Sequence, residues 1–179
     1  MADGGLKLHI GGQVRREGWT VVDANAAETT DIVSDCADLS MIGDGAAAEI
    51  YASHVLEHLG FADVPRALAE WFRVLQAGGQ VRISVPDLAR LGPTLAHPKL
   101  TAEVRDWVIA VIYGGQSDPH DFHKIGFTFE TLTQYLRAAG FDRIVRVPEF
   151  DLFDDASKLK LGPTLISLNV SARKPGQVR

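Results

Sequence analysis

Apolar and polar residues alternate in short runs through the first third of the chain and then recur at helical spacing. Leu6-Lys-Leu-His-Ile10 alternates and stops at Gly11-Gly12, which predicts a strand ending in a turn where positive φ is available. After the polar stretch Gln13 to Gly18, Trp19-Thr-Val-Val22 predicts a second strand ending at Asp23, and Asp31-Ile-Val-Ser34 a third ending at Asp35. Ile50-Tyr-Ala52 has the β-favouring composition of a buried strand end.

The helical period begins at Asp63, read as the cap, with Pro65 in the tolerant first turn. Val64, Leu68, Trp71, Phe72 and Leu75 form one face, and Gly78-Gly79 is the expected stop. Gln80 to Val85 alternates as a strand halted by Pro86, so strand, helix and strand follow one another as in a parallel sheet. Thr101 to Tyr113 predicts a further helix ended by Gly114-Gly115. Another is capped by Thr128, carries Leu132, Tyr135, Leu136 and Ala139 on its stripe, and closes at Gly140. Ile144 to Val147 reads as a strand. In Leu165 to Ala172, Ile166, Leu168, Val170 and Ala172 alternate with Ser167, Asn169 and Ser171, which predicts an antiparallel near-edge strand with one wet face. Asp151 to Asp155 and Lys158 to Lys160 read as a solvated loop between these two strands.

The linkers between the first three strands are shorter than the dozen or more residues a helical crossover needs, so extended loops are expected there. The whole predicts a single α/β domain over residues 1–179: a Rossmann-like three-layer sandwich with a mostly parallel sheet and an antiparallel C-terminal strand.

Composition narrows the partners. A formal net charge of −5 argues against a broad surface for nucleic acid or anionic membrane. Cys36 is the only cysteine, so neither an internal disulfide nor a thiolate metal cluster can form, which suits a reducing compartment. Without a basic-then-apolar leader at Met1 to Gly5 or a long apolar run, the chain is expected in the cytoplasm.

Two stretches carry ionisable groups suited to chemistry. The first is Glu49 to His58, where Ser53 to His58 leave the fourth strand at the rim where open sheets bind ligands. Within it His54-Val-Leu-Glu-His58 spells H-x-x-E-H, a zinc pattern of inverted metalloproteases. That site needs a long helix through the motif, yet a strand leads in and Gly60 follows, so no metal is expected here. The second is Asp118 to Gly126, in which His120 and His123 are candidate general bases because imidazole titrates near neutral pH.

Taken in order, Leu8-His-Ile-Gly-Gly12, Gly18-Trp-Thr-Val-Val-Asp23, Asp31 to Leu39, Ile50 to His58, Arg73 to Gly79 and Val81 to Pro86 resemble the class I S-adenosylmethionine-dependent methyltransferases of the short bacterial type. The similarity runs from Leu6 to Ala172. It implies S-adenosyl-L-methionine as cofactor, with Gly11 and Gly12 making room for its methionine part and Asp23 accepting from both ribose hydroxyls. It further implies Asp35 at the adenine amino group, Cys36 and Leu39 flanking the ring, and Ser53 and His54 at the amino-acid end. His123 and His120 become the candidate catalytic residues, His123 the better because related proteins place a histidine before a Gly-Phe turn.

The implied reaction is methyl transfer to an oxygen or nitrogen of a small molecule, glycan or peptide. Two rivals are a non-catalytic Rossmann-like binding protein and a zinc hydrolase using His54, Glu57 and His58. The family's first turn has three glycines and opens a long helix, whereas Gly11 to Arg16 has two and no room for it. Missing helices would leave part of the sheet bare, from which a homodimer is expected.

Overall fold

The computed structural model describes residues 4–117 and 121–176. Seven strands form one sheet: β1 (Leu6–Ile10), β2 (Thr20–Asp23), β3 (Ile32–Val33), β4 (Ala47–Ser53), β5 (Leu75–Pro86), β6 (Asp142–Arg146) and β9 (Ser167–Arg173). Their order is β3-β2-β1-β4-β5-β9-β6, parallel from β3 to β5, with β9 antiparallel to both its neighbours. Two short strands, β7 (Lys160–Leu161) and β8 (Thr164–Leu165), make a separate hairpin. The chain runs from β1 out to the β3 edge and returns to β4 on the other side of β1, so the order reverses between β1 and β4. Open parallel sheets bind ligands in the crevice at such a reversal.

Alternation sends Leu8, Ile10, Ile50, Ala52, Val81, Ile83, Val85, Leu168 and Val170 to one face. There they meet α1 (Asp63–Val74) and α4 (Phe129–Ala138) through Leu68, Trp71, Leu132 and Leu136 in the main core. Thr128 caps α4 with a reciprocal Thr128–Thr131 box, as the sequence predicts. A smaller cluster around Leu91, Val108 and Ile166 packs α2 (Leu88–Leu95) against α3 (Ala102–Tyr113). The sequence reading passed over α2 because Gly92-Pro93 lies inside it; Asp87 starts it by accepting from the Ala89 amide.

The expected crossover loops are there: no helix joins β1 to β2 or β2 to β3. Side chains hold these loops instead. Asp31 accepts from the Val21 amide at 2.8 Å and pairs with Arg15 at 3.0 Å, while Asp23 accepts from the Asn25 amide at 2.7 Å.

The second sheet face departs from the sequence reading in three places. Ser167, Asn169 and Ser171 are buried, not wet. Ser167 donates to the Ala156 carbonyl at 2.7 Å and Asn169 Nδ2 to the Pro148 and Ser157 carbonyls at 3.2 and 3.0 Å, so these donors are paired under cover. The cover is the 147–159 connection, read from sequence as a solvated loop, which lies across the sheet as a strap. Its Phe153 is buried and stacks on His9 with ring centroids 4.0 Å apart and on Tyr51 at 4.9 Å. Tyr51 donates to Asp155 at 2.7 Å, and Arg16 donates to the Leu152 carbonyl. Trp19 packs beside Tyr51 and Phe153, and farther along that face Glu49 pairs with Arg82 and with Lys7. The expectation of a homodimer rested on an uncovered part of the sheet, and the strap covers part of that face from within the chain.

A third difference is at Gly78-Gly79. The helix α1 ends at Val74 and β5 starts at the next residue, so the glycines lie inside the strand. The ladder pairs Ala47 with Leu75 and then Glu49 with Gln80, so the intervening residues of β5 bulge out, and Gly78 takes a φ of 78°.

Arg73 ties α1 to the loop that follows β3. It donates twice to Glu70 at 2.8 Å, to Asp44 at 2.7 Å, and to the carbonyls of Leu39 and Ile42 at 2.9 Å, while Glu70 accepts from the Leu39 amide at 3.0 Å. Arg73→Ala leaves these acceptors unsatisfied and should lower unfolding free energy by about 2 kcal/mol in urea titrations. Arg73→Lys should recover less than half, because an ammonium cannot replace the fork; full recovery would show that charge alone matters.

His9 gives a pH signature. Burial holds its imidazole far below the ordinary value of 6.5, at about 4, against the opposing pull of Asp155. The unfolded chain therefore binds a proton near pH 6.5 that the folded chain refuses. Stability should fall as pH drops from 6.5 to 4 and level off below, a total of roughly 3 kcal/mol. Thermal denaturation across this window should show the slope for the native chain and most of it gone in His9→Phe; an equal slope in both would assign it to other groups.

Candidate active site

At the reversal between β1 and β4 the carboxyl ends of the strands open into a cleft of about 560 Å³. Ile10 and Gly11 line it from β1, Val22 and Asp23 from β2, Ser34, Asp35 and Cys36 after β3, and His54 and Val55 after β4. His58 and Leu59 continue the wall, and Ser117, Asp121 and Lys124 close the far side. Of the residues singled out from sequence, Gly11, Asp23, Asp35, Cys36 and His54 therefore share one space.

Gly12 and Ser53 do not line it. A Cβ at Gly12 would sit 2.6 Å from the His9 ring, so that glycine serves the packing of a buried histidine. Gly11 has a φ of 69°, and a Cβ there would lie 2.5 Å from Val55 Cγ2; its amide already donates to the Val22 carbonyl at 2.8 Å. Its contribution to the cleft is space and a sharp turn.

Asp35 closes an Asx turn by accepting from the Ala37 amide at 2.8 Å. Burial, then the charge of Asp35, pushes the Cys36 thiol up to about 12, so it stays protonated and acts as a wall. The Cys36 carbonyl accepts from Trp71 Nε1 at 2.8 Å, which fixes this loop to α1. Three carboxylates, Asp23, Asp35 and Asp121, face one ammonium, Lys124, and the cleft thus favours a cationic ligand.

His54 has a φ of 54°, unusual for a residue with a Cβ. Both ring nitrogens face polar atoms: Nδ1 lies 3.0 Å from Glu57 Oε1 and Nε2 3.2 Å from Ser167 Oγ, and the amide donates to the Ser84 carbonyl at 2.8 Å. One 3₁₀ turn, Leu56–His58, carries Glu57 inward, where it is 1% exposed. The Glu57 carbonyl accepts from the amides of Lys124 and Ile125, at 2.7 and 3.3 Å, and so brings the 121–127 segment to the turn.

His123 stands behind His58, edge to face with ring centroids 4.7 Å apart. It does not itself line the cleft. Burial, together with the charges of His58 and His54, holds its imidazole below the ordinary value despite the opposing pull of Glu57. His120, the other expected base, lies outside the described residues. His58 lines the wall as well, a residue that sequence reasoning named only as part of H-x-x-E-H.

A family model described as a methyltransferase domain matches residues 15–83. No curated protein sequence matches the chain. Among solved structures it resembles an S-adenosylmethionine-dependent methyltransferase from Archaeoglobus fulgidus, with a TM-score of 0.59 and 17% identity over 96% of this chain and 87% of that one. It also resembles the 1,6-didemethyltoxoflavin-N1-methyltransferase of Burkholderia thailandensis, solved with 1,6-didemethyltoxoflavin and S-adenosylhomocysteine bound, at a TM-score of 0.59 and 17% identity over 96% and 72%. A possible exported protein from Bordetella parapertussis aligns at a TM-score of 0.60 and 12% identity over 97% of this chain, which spans only 63% of that protein's length. Among the described residues no helix is long and apolar enough to cross a membrane. The methyltransferase-domain model over residues 15–83 and the likeness to these solved structures together show that the chain has the fold of the S-adenosylmethionine-dependent methyltransferases.

Proposed function

We propose that the chain binds S-adenosyl-L-methionine in the strand-end cleft and transfers its methyl group to an oxygen or nitrogen nucleophile of a small molecule, glycan or peptide. The observation that carries this reading is the convergence of Gly11, Asp23, Asp35, Cys36 and the His54 turn on one acidic cleft at the sheet's reversal. A sulfonium is cationic, and a lining of three carboxylates against one ammonium suits it. When bound, the cofactor supplies an electrophilic methyl group. Asp23, at the end of β2, would accept from the two ribose hydroxyls, and Asp35 from the adenine amino group beside the neutral Cys36 wall.

The acceptor falls to the other flank, toward His58, Ser117, Asp121 and Lys124. The chain's part in such a displacement is chiefly to hold two reactants in line, which needs few catalytic side chains. His123 serves as a positioning residue, holding the His58 ring against the cleft wall through their edge-to-face contact. The non-catalytic alternative draws on the loop between β1 and β2, which supplies no helix N-terminus to a cofactor carboxylate.

Titration calorimetry with S-adenosylhomocysteine separates these readings. Binding at micromolar to submillimolar concentration is expected for the native chain. Asp23→Asn should weaken it by on the order of tenfold to a hundredfold, because an amide cannot accept from both hydroxyls, while leaving the melting temperature nearly unchanged. No heat at millimolar ligand would overturn the assignment of the cleft to this cofactor. Binding without methyl release toward any tested O or N acceptor class would favour the non-catalytic reading.

A further inference from the structure

Glu57, His58 and His123 form a polar cluster that reaches the cleft wall at His58 and that cofactor binding leaves unused. Each offers one ligand atom, and these atoms lie within 4.8 Å of one another. Their polar atoms are buried and poorly satisfied. Among the described residues, Glu57 Oε2 and the Nδ1 atoms of His58 and His123 have no hydrogen-bond partner, and Oε1 meets only His54 Nδ1 at 3.0 Å. A carboxylate that is 1% exposed with a free oxygen is costly unless something positive or proton-donating completes it.

We infer that Glu57, His58 and His123 bind a divalent transition-metal ion of the zinc type beside the acceptor flank of the cleft. The donor set decides the class of ion. Two imidazoles and one carboxylate suit zinc and its transition-metal neighbours, whereas magnesium and calcium prefer all-oxygen shells. Bonds of about 2.1 Å in a tetrahedral site put ligand atoms roughly 3.4 Å apart, so the observed spacing closes with small side-chain rotations.

The support around the ligands is already built. His54 Nδ1 stands 3.0 Å from Glu57 Oε1, and Ser167 Oγ lies 3.2 Å from the other His54 nitrogen, so His54 and Ser167 flank the carboxylate that would coordinate. The amides of Lys124 and Ile125 fix the Glu57 backbone beside the segment that supplies His123. This ligand set differs from the one spelled by H-x-x-E-H. His54 is committed to Glu57 and Ser167, and His123 arrives from the far segment in its place. An ion here would clamp the turn after β4 to the 121–127 segment, the two parts of the wall that meet at His58.

Only the site's relation to the acceptor rests on the proposed methyltransferase reading; the binding of the ion does not. The test uses the full chain without cofactor. After dialysis against a chelator, zinc chloride should bind at close to one equivalent with micromolar or tighter affinity and raise the melting temperature, and magnesium chloride should do neither. Cobalt(II) in the same site should give visible ligand-field bands. His123→Ala and Glu57→Gln should weaken zinc binding by on the order of a hundredfold. His97→Ala, which changes a histidine outside the cluster, should leave it intact.

No zinc bound and no thermal shift in the native chain would overturn the inference, as would equal affinity in native and His123→Ala proteins. Should Glu57→Gln fail to fold, the native titration and His123→Ala still decide the matter. S-adenosylhomocysteine calorimetry on the same samples reads the cofactor cleft separately, so failure of the metal site and failure of the methyltransferase reading give different results.

Discussion

The structure turns on a shortage of chain between its first three strands. Parallel strands need a long return path, and helices normally supply it while covering the sheet. Here the returns are loops, so side chains must do the holding and another part of the molecule must do the covering. Asp31 and Asp23 meet the first need through backbone amides, and the 147–159 strap meets the second by laying Phe153 on His9 and Tyr51. The same shortage shapes the cleft, which is walled by turns and a 3₁₀ segment in place of a long first helix.

Charged groups act as joints where apolar area is scarce. Arg73 fastens the loop after β3 to α1, and that loop carries Asp35 and Cys36 to the cleft. Asp87, 1% exposed at the end of β5, accepts from Arg146 at 2.7 Å and faces Arg90 at 3.4 Å, joining β5, α2 and β6. Glu57, the other carboxylate at 1% exposure, faces a histidine, His54, where Asp87 has two arginines. Removing one member of such a joint leaves a buried charge uncompensated, which costs more than the pair contributes.

Much of the architecture was legible in the sequence because it is written in periodicity and punctuation. The strand at Leu6, the Thr128 cap and the helix ending at Tyr113 all follow from local pattern, as does the strand-end position of Asp23. What escaped depends on contacts between distant residues. Ser167 and Asn169 look like a wet face until the carbonyls of Pro148, Ala156 and Ser157 are known to lie over them. Gly78-Gly79 reads as a helix stop because a bulge and a stop use the same residue. Gly12 reads as ligand space, and only the fold reveals the His9 ring against it. His58 and His123 are distant in sequence, and no spacing rule brings them together.

The strap also bears on how the chain becomes a protein. Its partners His9 and Tyr51 lie in β1 and β4, whereas Phe153 is synthesised long after them. β5, likewise, gains its antiparallel neighbour only when β9 has been made. A nascent chain that has emerged through β5 therefore has one aromatic face unsheltered and one ladder edge unpaired. Such an intermediate carries the exposed surface and free strand edge that make partly folded chains prone to aggregate, and its final closure is a long-range, slow-class event.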